Sequence, residues 1–217
     1  VPDRDAGLDA LRRLKAVACE HDLEVQQEKT AATRRAADAQ EAVQKARDRD
    51  RRRGELREVF VALTQSDNPQ ARGYGLEDLL KELFALYEIR YRKSYRADGE
   101  QIDGFFAFGG FDYLVEARWR KEQPSLPDLL AFKGKVERKI ESTRGVVVSL
   151  LGFRDDVVQR LREAGPANLI LVDGYDLNLI LEGRVSLVDA LQRKIDKAAQ
   201  EGVIYYPLAK LFSGGGH

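Results

Sequence analysis

The chain has 217 residues, room for one domain of ordinary size with an appendage. Hydrophobic residues make up 43% and charged residues 33%, and 36 basic side chains balance 36 acidic ones. Overall charge therefore names no polyanionic partner, and any nucleic-acid site must come from local clustering. The single cysteine, Cys19, excludes an internal disulfide and cysteine-rich metal sites, which fits a reducing, cytoplasmic setting. No apolar run approaches the roughly 20 residues that span a bilayer. Ser213–His217 reads as a purification-tag remnant, and the start at Val1 rather than Met leaves room for upstream sequence. His21 is then the one native histidine. A histidine triad or zinc site is excluded, so chemistry must rest on carboxylates and basic side chains.

Residues 1–66 read as a long helical segment. From Asp5 to Arg53 there is no proline and one glycine, in a stretch rich in Ala, Glu, Gln, Lys and Arg. Leu11, Leu14, Ala18, Val25, Ala32, Ala39 and Ala46 recur near a/d spacing, interrupted by His21, Glu28 and Arg35. So weakly apolar a helix needs a partner, which predicts a coiled-coil homodimer. The run Arg47–Arg53 alternates in sign through most of its length and reads as a solvated face laced with ion pairs. A helical pattern continues from Glu55 to Leu63, Ser66–Pro69 ends it, and Gly73–Tyr74–Gly75 predicts a flexible joint and domain boundary.

Residues 73–212 then alternate between helix and strand. Leu76–Tyr87 is an amphipathic helix, and Ile89–Tyr95, Gln101–Phe108 and Phe111–Trp119 are strands, the last two joined by a turn at Gly109–Gly110. A helix runs from Asp128 to about Ser142, and Trp119 is expected to pack against it. Gly145–Leu150 and Asn168–Val172 are buried strands, separated by a helix over Asp155–Ala164. Asp173–Asp176 reads as a turn, and Ser186–Glu201 is the terminal helix. The order predicts an α/β domain with helices on both faces of a mixed sheet.

In that hairpin, positions whose numbers sum to 219 face one another, and Asp103 and Glu116 satisfy the sum. Two like charges so placed repel, and a divalent cation with oxygen ligands removes the penalty. Glu77, in the first turn of the preceding helix, is within reach of the same ion. The other reading of these acids is a set of cross-strand ion pairs with Arg118 or Arg120, each worth little. Both acids interrupt apolar strand segments, beside Ile102 and Phe105 and beside Val115 and Ala117, which favours a site.

Ile102-Asp103-Gly104 followed by Val115-Glu116-Ala117-Arg118 resembles the Asp…(Asp/Glu)-x-Lys signature of PD-(D/E)xK nucleases. Gly73–Glu77 with its apolar helix, Gly145–Ser149 with Gly152–Phe153, and Leu169–Gly174 resemble the Mrr-like restriction endonuclease branch. The similarity covers about residues 73–206 and leaves the N-terminal helix unexplained. It implies a restriction-endonuclease-like fold, Mg²⁺ or Mn²⁺ held by Asp103, Glu116 and the Ala117 carbonyl with help from Glu77, and hydrolysis of DNA, in the setting of a prokaryotic defence effector. Arg118 stands where the family carries lysine. Arginine stabilises phosphorane charge but, with a pKa above about 12, does not deprotonate water. Arg92, Lys93, Arg96, Arg120 and Lys121 bracket the acids as a phosphate-tracking groove requires, with Lys133, Lys135, Arg138 and Lys139 beyond them. A catalytically silent binding domain, dimerised by its coiled coil, is the competing reading, and Arg118 is the feature that favours it.

Overall fold

The computed structural model describes the backbone of residues 4–97, 100–166 and 168–213. It describes their side chains apart from residues 4–6, 17–25, 27, 28, 97 and 100. Cys19, His21, Ala18, Val25 and Glu28 therefore lie outside the described side chains, and residues 214–217 of the tag-like stretch outside the described backbone. No described helix is long and apolar enough to cross a membrane.

The chain falls into two compact units, Val1–Arg49 and Asp50–His217. The first consists of the leading part of helix α1 (Arg4–Gln65). Its exposed surface carries pairs one turn apart, Asp9–Arg12 at 3.1 Å and Glu41–Lys45 at 2.8 Å, of the kind that support solvated helices. Leu8, Leu11, Leu14 and Val43 are exposed.

The second unit begins earlier than the sequence suggests. Phe60, on the last turns of α1, lies in the core with Leu76, Leu79, Leu80 and Leu83 of α2 (Pro69–Leu86). Helix α2 runs unbroken through Gly73–Tyr74–Gly75, so the joint expected there is helical. Asn68 starts the helix at Pro69 rather than Leu76 by accepting the N–H groups of Gln70 and Ala71, with Pro69 preset for the first turn. Gly75 serves close packing: a Cβ there would lie 2.4 Å from a methyl of Leu63. The Arg47–Arg53 run behaves as a solvated face in part, with Arg53 on Asp50 at 2.8 Å and Arg52 3.7 Å from Glu82.

Strands β1 (Tyr91–Ala97), β2 (Glu100–Phe108), β3 (Phe111–Arg118), β4 (Thr143–Ser149) and β5 (Leu169–Asp173) form one sheet in that order. The first three are antiparallel neighbours, and β3, β4 and β5 are parallel. Parallel neighbours need crossovers. Helix α3 (Leu126–Glu137) supplies one and α4 (Asp155–Glu163) the other, and both pack on one face through Leu129, Phe132, Val136, Val157 and Leu161 against Leu114, Val147, Leu169 and Leu171. The alternate residues Val115, Val146, Val148, Ile170 and Val172 turn to the other face, covered by α2, α5 (Gly174–Leu181) and α6 (Leu187–Glu201). This is the mixed α/β sheet with helices on both faces that the element order predicts.

Two expectations fail. Asp173–Asp176 is no turn but the reciprocal cap of α5: the Asp173 carboxylate accepts Asp176 N–H at 2.7 Å, and the Asp176 carboxylate accepts Asp173 N–H at 3.3 Å. Trp119 packs on Phe60 of α1, with ring centroids 6.0 Å apart, rather than on α3. Strand alternation puts it on the face of Ala117, away from α3.

Near the C-terminus a buried lysine ties the layers together. Lys194 Nζ contacts Asp176 Oδ2 at 2.6 Å and donates to the carbonyls of Leu171 and Tyr206, both at 2.8 Å. Asp176 Oδ1 accepts Leu208 N–H at 2.7 Å, and Tyr205 donates its hydroxyl to Asp173 at 2.6 Å. All three ammonium protons have partners, as a buried cation requires.

Gly145 is the tightest glycine of the α3 face. A Cβ there would fall 2.3 Å from Leu169, 2.8 Å from Phe132 and 2.9 Å from Val136, all buried. Gly145→Ala is expected to lower unfolding free energy by about 1–3 kcal/mol, the usual cost of overpacking. Urea denaturation checks this through a lowered midpoint at unchanged slope, and an unchanged midpoint would contradict the packing described.

Candidate active site

Strands β2 and β3 follow the expected register from Phe108↔Phe111 to Gly104↔Val115 and stop there. The pair Asp103↔Glu116 that the sum of 219 predicts is not formed. On the other edge of β2 the ladder skips the step between Lys93↔Gly104 and Tyr95↔Ile102. Inward side chains change face across this step: Phe106 packs with α2, Ile102 with α3. The strand bends at Asp103, β2 parts from β3, and Ala117 N–H is left without a ladder partner on that side. Asp103 Oδ2 accepts it at 3.1 Å.

Beyond the fork, alternation along β3 turns Glu116 and Arg118 toward α3. Arg118 donates through Nε and Nη2 to Glu116 Oε1 at 3.1 and 2.7 Å, and its Nη1 lies 2.7 Å from Asp128 Oδ1. Asp128 is the third residue of the capping box that opens α3, where Ser125 Oγ donates to it at 2.6 Å. The Ser125 hydroxyl, then Arg118, hold the Asp128 carboxyl far below the usual carboxylate range. In the last turn of α3, Lys135 Nζ donates to the Gln101 carbonyl at 3.1 Å and to Glu116 Oε2 at 3.4 Å.

Asp103, Ala117, Glu116 and Arg118 thus lie about one fork, with Asp103 on the Ala117 N–H and Arg118 on Glu116, and not as the facing pair that the hairpin sum predicts. Glu77 sits in the interior of α2, not its first turn, because that helix begins at Pro69. Burial, then the charge of Asp103, push the Glu77 carboxyl up. Burial also raises Asp103; the Ala117 N–H opposes this and the Glu116 charge adds to it. Among the described residues no group of three or more His, Cys, Asp and Glu side chains forms a preassembled metal cage.

Asp128 and Tyr91 escape sequence reading, and Lys135 enters it only as one of the basic residues beyond the groove. Lys135 follows the buried Phe132 by three positions, which puts it on the flank of α3 beside Glu116; the face on which α3 packs is the missing information. Asp128 was hidden in its capping role. Tyr91 packs its ring on Phe84 with centroids 4.9 Å apart, and its solvent-shielded hydroxyl has no hydrogen-bond partner among the described residues. Burial, then Asp103 and Glu77, push that hydroxyl's pKa well up. Gly104 leaves room for it: a Cβ there would lie 1.8 Å from the hydroxyl oxygen.

Of the five basic residues assigned to a nucleic-acid groove, Arg96 and Lys121 are exposed. Arg92 lies over the Tyr95 ring at 4.1 Å, and Lys93 is engaged by Asp78 at 2.6 Å. Arg120 is exposed, 3.8 Å from Asp128.

The raised Asp103 pKa has a sign that can be checked. The folded chain holds this proton more tightly than the unfolded chain, so stability falls as pH rises through the ordinary carboxylate value toward the raised one, and stays lower above it. Asp103→Asn can keep the Ala117 hydrogen bond and loses the charge. In metal-free buffer it is expected to melt above wild type at pH 7, with the gap closing as pH falls below the ordinary carboxylate range. A variant that melts below wild type at pH 7 would show the charged carboxylate to be stabilising.

No protein-family model and no curated protein matches the chain. Among solved structures it is similar to a protein of unknown function, AF1548, at 13% identity and a TM-score of 0.42, over 59% of this chain and 78% of that one. It is similar to the MspJI restriction endonuclease in complex with a 27-mer oligonucleotide at 16% identity and a TM-score of 0.36, over 73% and 38% of the two chains. The figures for a type III CRISPR defence DNA nuclease activated by cyclic oligoadenylate are 19%, 0.32, 51% and 18%. The chain spans well under half the length of either nuclease. At these levels the likeness assigns neither fold nor activity.

Proposed function

We propose that the chain is a divalent-metal-dependent phosphodiesterase acting on DNA. The observation that carries this reading is the convergence of Asp103, Glu116 and Lys135 where β2 parts from β3. The donor set suits a hard cation such as Mg²⁺ or Mn²⁺, which takes one or two carboxylates and keeps several waters. Charge argues the same way. Asp103 and Glu77 are both pushed toward protonation, the state that a cation relieves. Glu116 keeps Arg118 on Oε1, while its Oε2, held by Lys135 at only 3.4 Å, is the oxygen free to ligate.

Asp103, Glu116 and the Ala117 carbonyl would hold the ion, with Glu77 assisting. The ion supplies a water of lowered pKa and neutralises phosphate charge. Hydrolysis joins a water oxygen to phosphorus and breaks the bond to one sugar oxygen, leaving a phosphate monoester on one end and a hydroxyl on the other. Lys135 takes the role that the motif assigns to lysine: its mobile ammonium meets the extra negative charge of the pentavalent phosphorus. Arg118, committed to Glu116 and Asp128, orients Glu116 instead. Arg96, Arg120 and Lys121 track the flanking phosphates, with Arg92 and Lys93 behind them.

A second reading, a silent binding domain, rests on the two cations already seated on Glu116. Plasmid nicking in Mg²⁺ against EDTA separates the two. Asp103→Ala and Glu116→Ala are expected to abolish nicking while the chain stays folded. Lys135→Ala is expected to slow it about 10²- to 10³-fold, the scale of one electrostatic donor, and Arg118→Lys is expected to keep most of it. Equal nicking by wild type and the two acid variants would sink the metal-centre assignment. No nicking by wild type in Mg²⁺ or Mn²⁺ would favour the silent domain.

The dimer belongs to the same proposal. Leu8, Leu11, Leu14 and Val43 of α1 are exposed, and two sites held together would cut both strands of a duplex in one encounter. Light scattering is expected to give twice the chain mass for the whole protein and the single mass for a chain starting at Asp50. A monomeric whole chain at micromolar concentration would refute the coiled coil.

A further inference from the structure

At the end of the sheet away from Glu116 and Arg118 lies a half-enclosed cavity of about 130 Å³. It opens at the amino ends of the parallel strands β4 and β5, lined by Arg144, Asn168, Leu169 and Ile170, with Tyr113 of β3 and Ile195, Ala198 and Ala199 of α6. Tyr113 and Arg144 are ladder partners and so share a face. The Tyr113 ring is fixed, stacked on Phe106 with centroids 4.9 Å apart and planes 7° from parallel. Its hydroxyl is shut off from solvent, lies beside the Arg144 guanidinium, and has no acceptor for its own proton among the described residues. Arg144 holds its guanidinium 3.5 Å above the Phe111 ring. Among the described residues no carboxylate pairs with it.

The hydroxyl proton of Tyr113 and the charge of the Arg144 guanidinium beside it therefore meet at one cavity with no carboxylate of the described residues to receive them. Buried donors are almost always satisfied, and an orphan calls for an acceptor from outside the chain. A guanidinium matches the paired oxygens of a carboxylate or phosphate. Apart from Asn168 the remaining wall is apolar, with the small side chains of Ala198 and Ala199 leaving space for a few further heavy atoms. We propose that this cavity binds a small oxyanion, the carboxylate or phosphate group of a compact ligand, through Arg144 and the Tyr113 hydroxyl. The site is independent of the phosphodiesterase reading, since it shares no residue with the fork at Asp103.

The test uses the whole chain with sodium butyrate and sodium phosphate as probes and sodium chloride at matched ionic strength as control. Calorimetric titration and thermal melting are expected to show saturable binding of butyrate, phosphate or both, and the stronger probe identifies which source of the oxyanion the cavity prefers. Tyr113→Phe keeps the stacking on Phe106 and is expected to weaken binding about tenfold, as loss of a hydrogen bond to a charged group does. Without ligand it is expected to melt no lower than wild type. Arg144→Ala is expected to abolish binding. The proposal is overturned if neither probe gives a saturable effect beyond that of chloride, or if both variants bind as tightly as wild type. A ligand-free Tyr113→Phe chain that melts well below wild type also overturns it, because the hydroxyl would then already have its partner.

Discussion

Strand β3 is paired along both edges only as far as Val115; beyond it β4 remains and β2 is gone. A backbone N–H inside a domain must find an acceptor, and for Ala117 the acceptor is the side chain of the strand that has just departed. Asp103 is therefore fixed to the backbone between Glu116 and Arg118 without standing opposite either. The same departure frees the flank on which Glu116 and Arg118 meet α3. Had the hairpin continued for two more pairs, Asp103 and Glu116 would be ordinary cross-strand neighbours on a closed sheet.

Charge is distributed unevenly about this fork. On the α3 side Glu116 and Asp128 share Arg118, and Lys135 closes on Glu116 from the helix. A desolvated ion pair repays its cost only with good geometry, and Arg118, with 10% of its side chain exposed, reaches two carboxylates with its planar fork. On the α2 side Asp103 has one backbone N–H and a 3.4 Å contact from Gln101, while Glu77 faces it across Tyr91. Burial lifts both carboxyls, against the opposing charges of Lys135 at Asp103 and Lys93 at Glu77. The negative excess lies on that side, beside the glycine that admits the Tyr91 hydroxyl.

The far half of the sheet is held by different means. Lys194 spends its ammonium on Asp176 and two carbonyls, and Asp176 in turn fixes Leu208, so β5, α5, α6 and the C-terminal segment are tied at one point. Removing either charge would leave the other buried and unpaired, the costliest way to break such a pair.

Local physics was legible in the sequence. Helix-forming composition marked α1, alternation marked β2 and β3, short β-branched runs marked β4 and β5, and the glycine pair set a hairpin register that holds from Phe108↔Phe111 to Gly104↔Val115. The acids at 103 and 116 and the arginine at 118 stood out because they interrupt apolar strands. Glycine misled at positions 73–75, where a cap at Asn68 and the contact with Leu63 outweigh its weak helix propensity. Capping also misled at Asp173–Asp176, since a reciprocal cap and a turn share the same residue types. What the sequence by itself determined was thus the elements, their order and the charged residues inserted into them, because these depend on neighbours a few positions apart. Only the tertiary structure decided that β2 bends away at Asp103, that α3 covers the Glu116 face and brings Lys135 to it, and that Arg118 is committed to Asp128. Each of these depends on which face a helix packs against and where a ladder ends, and those are set by contacts between segments far apart in the chain.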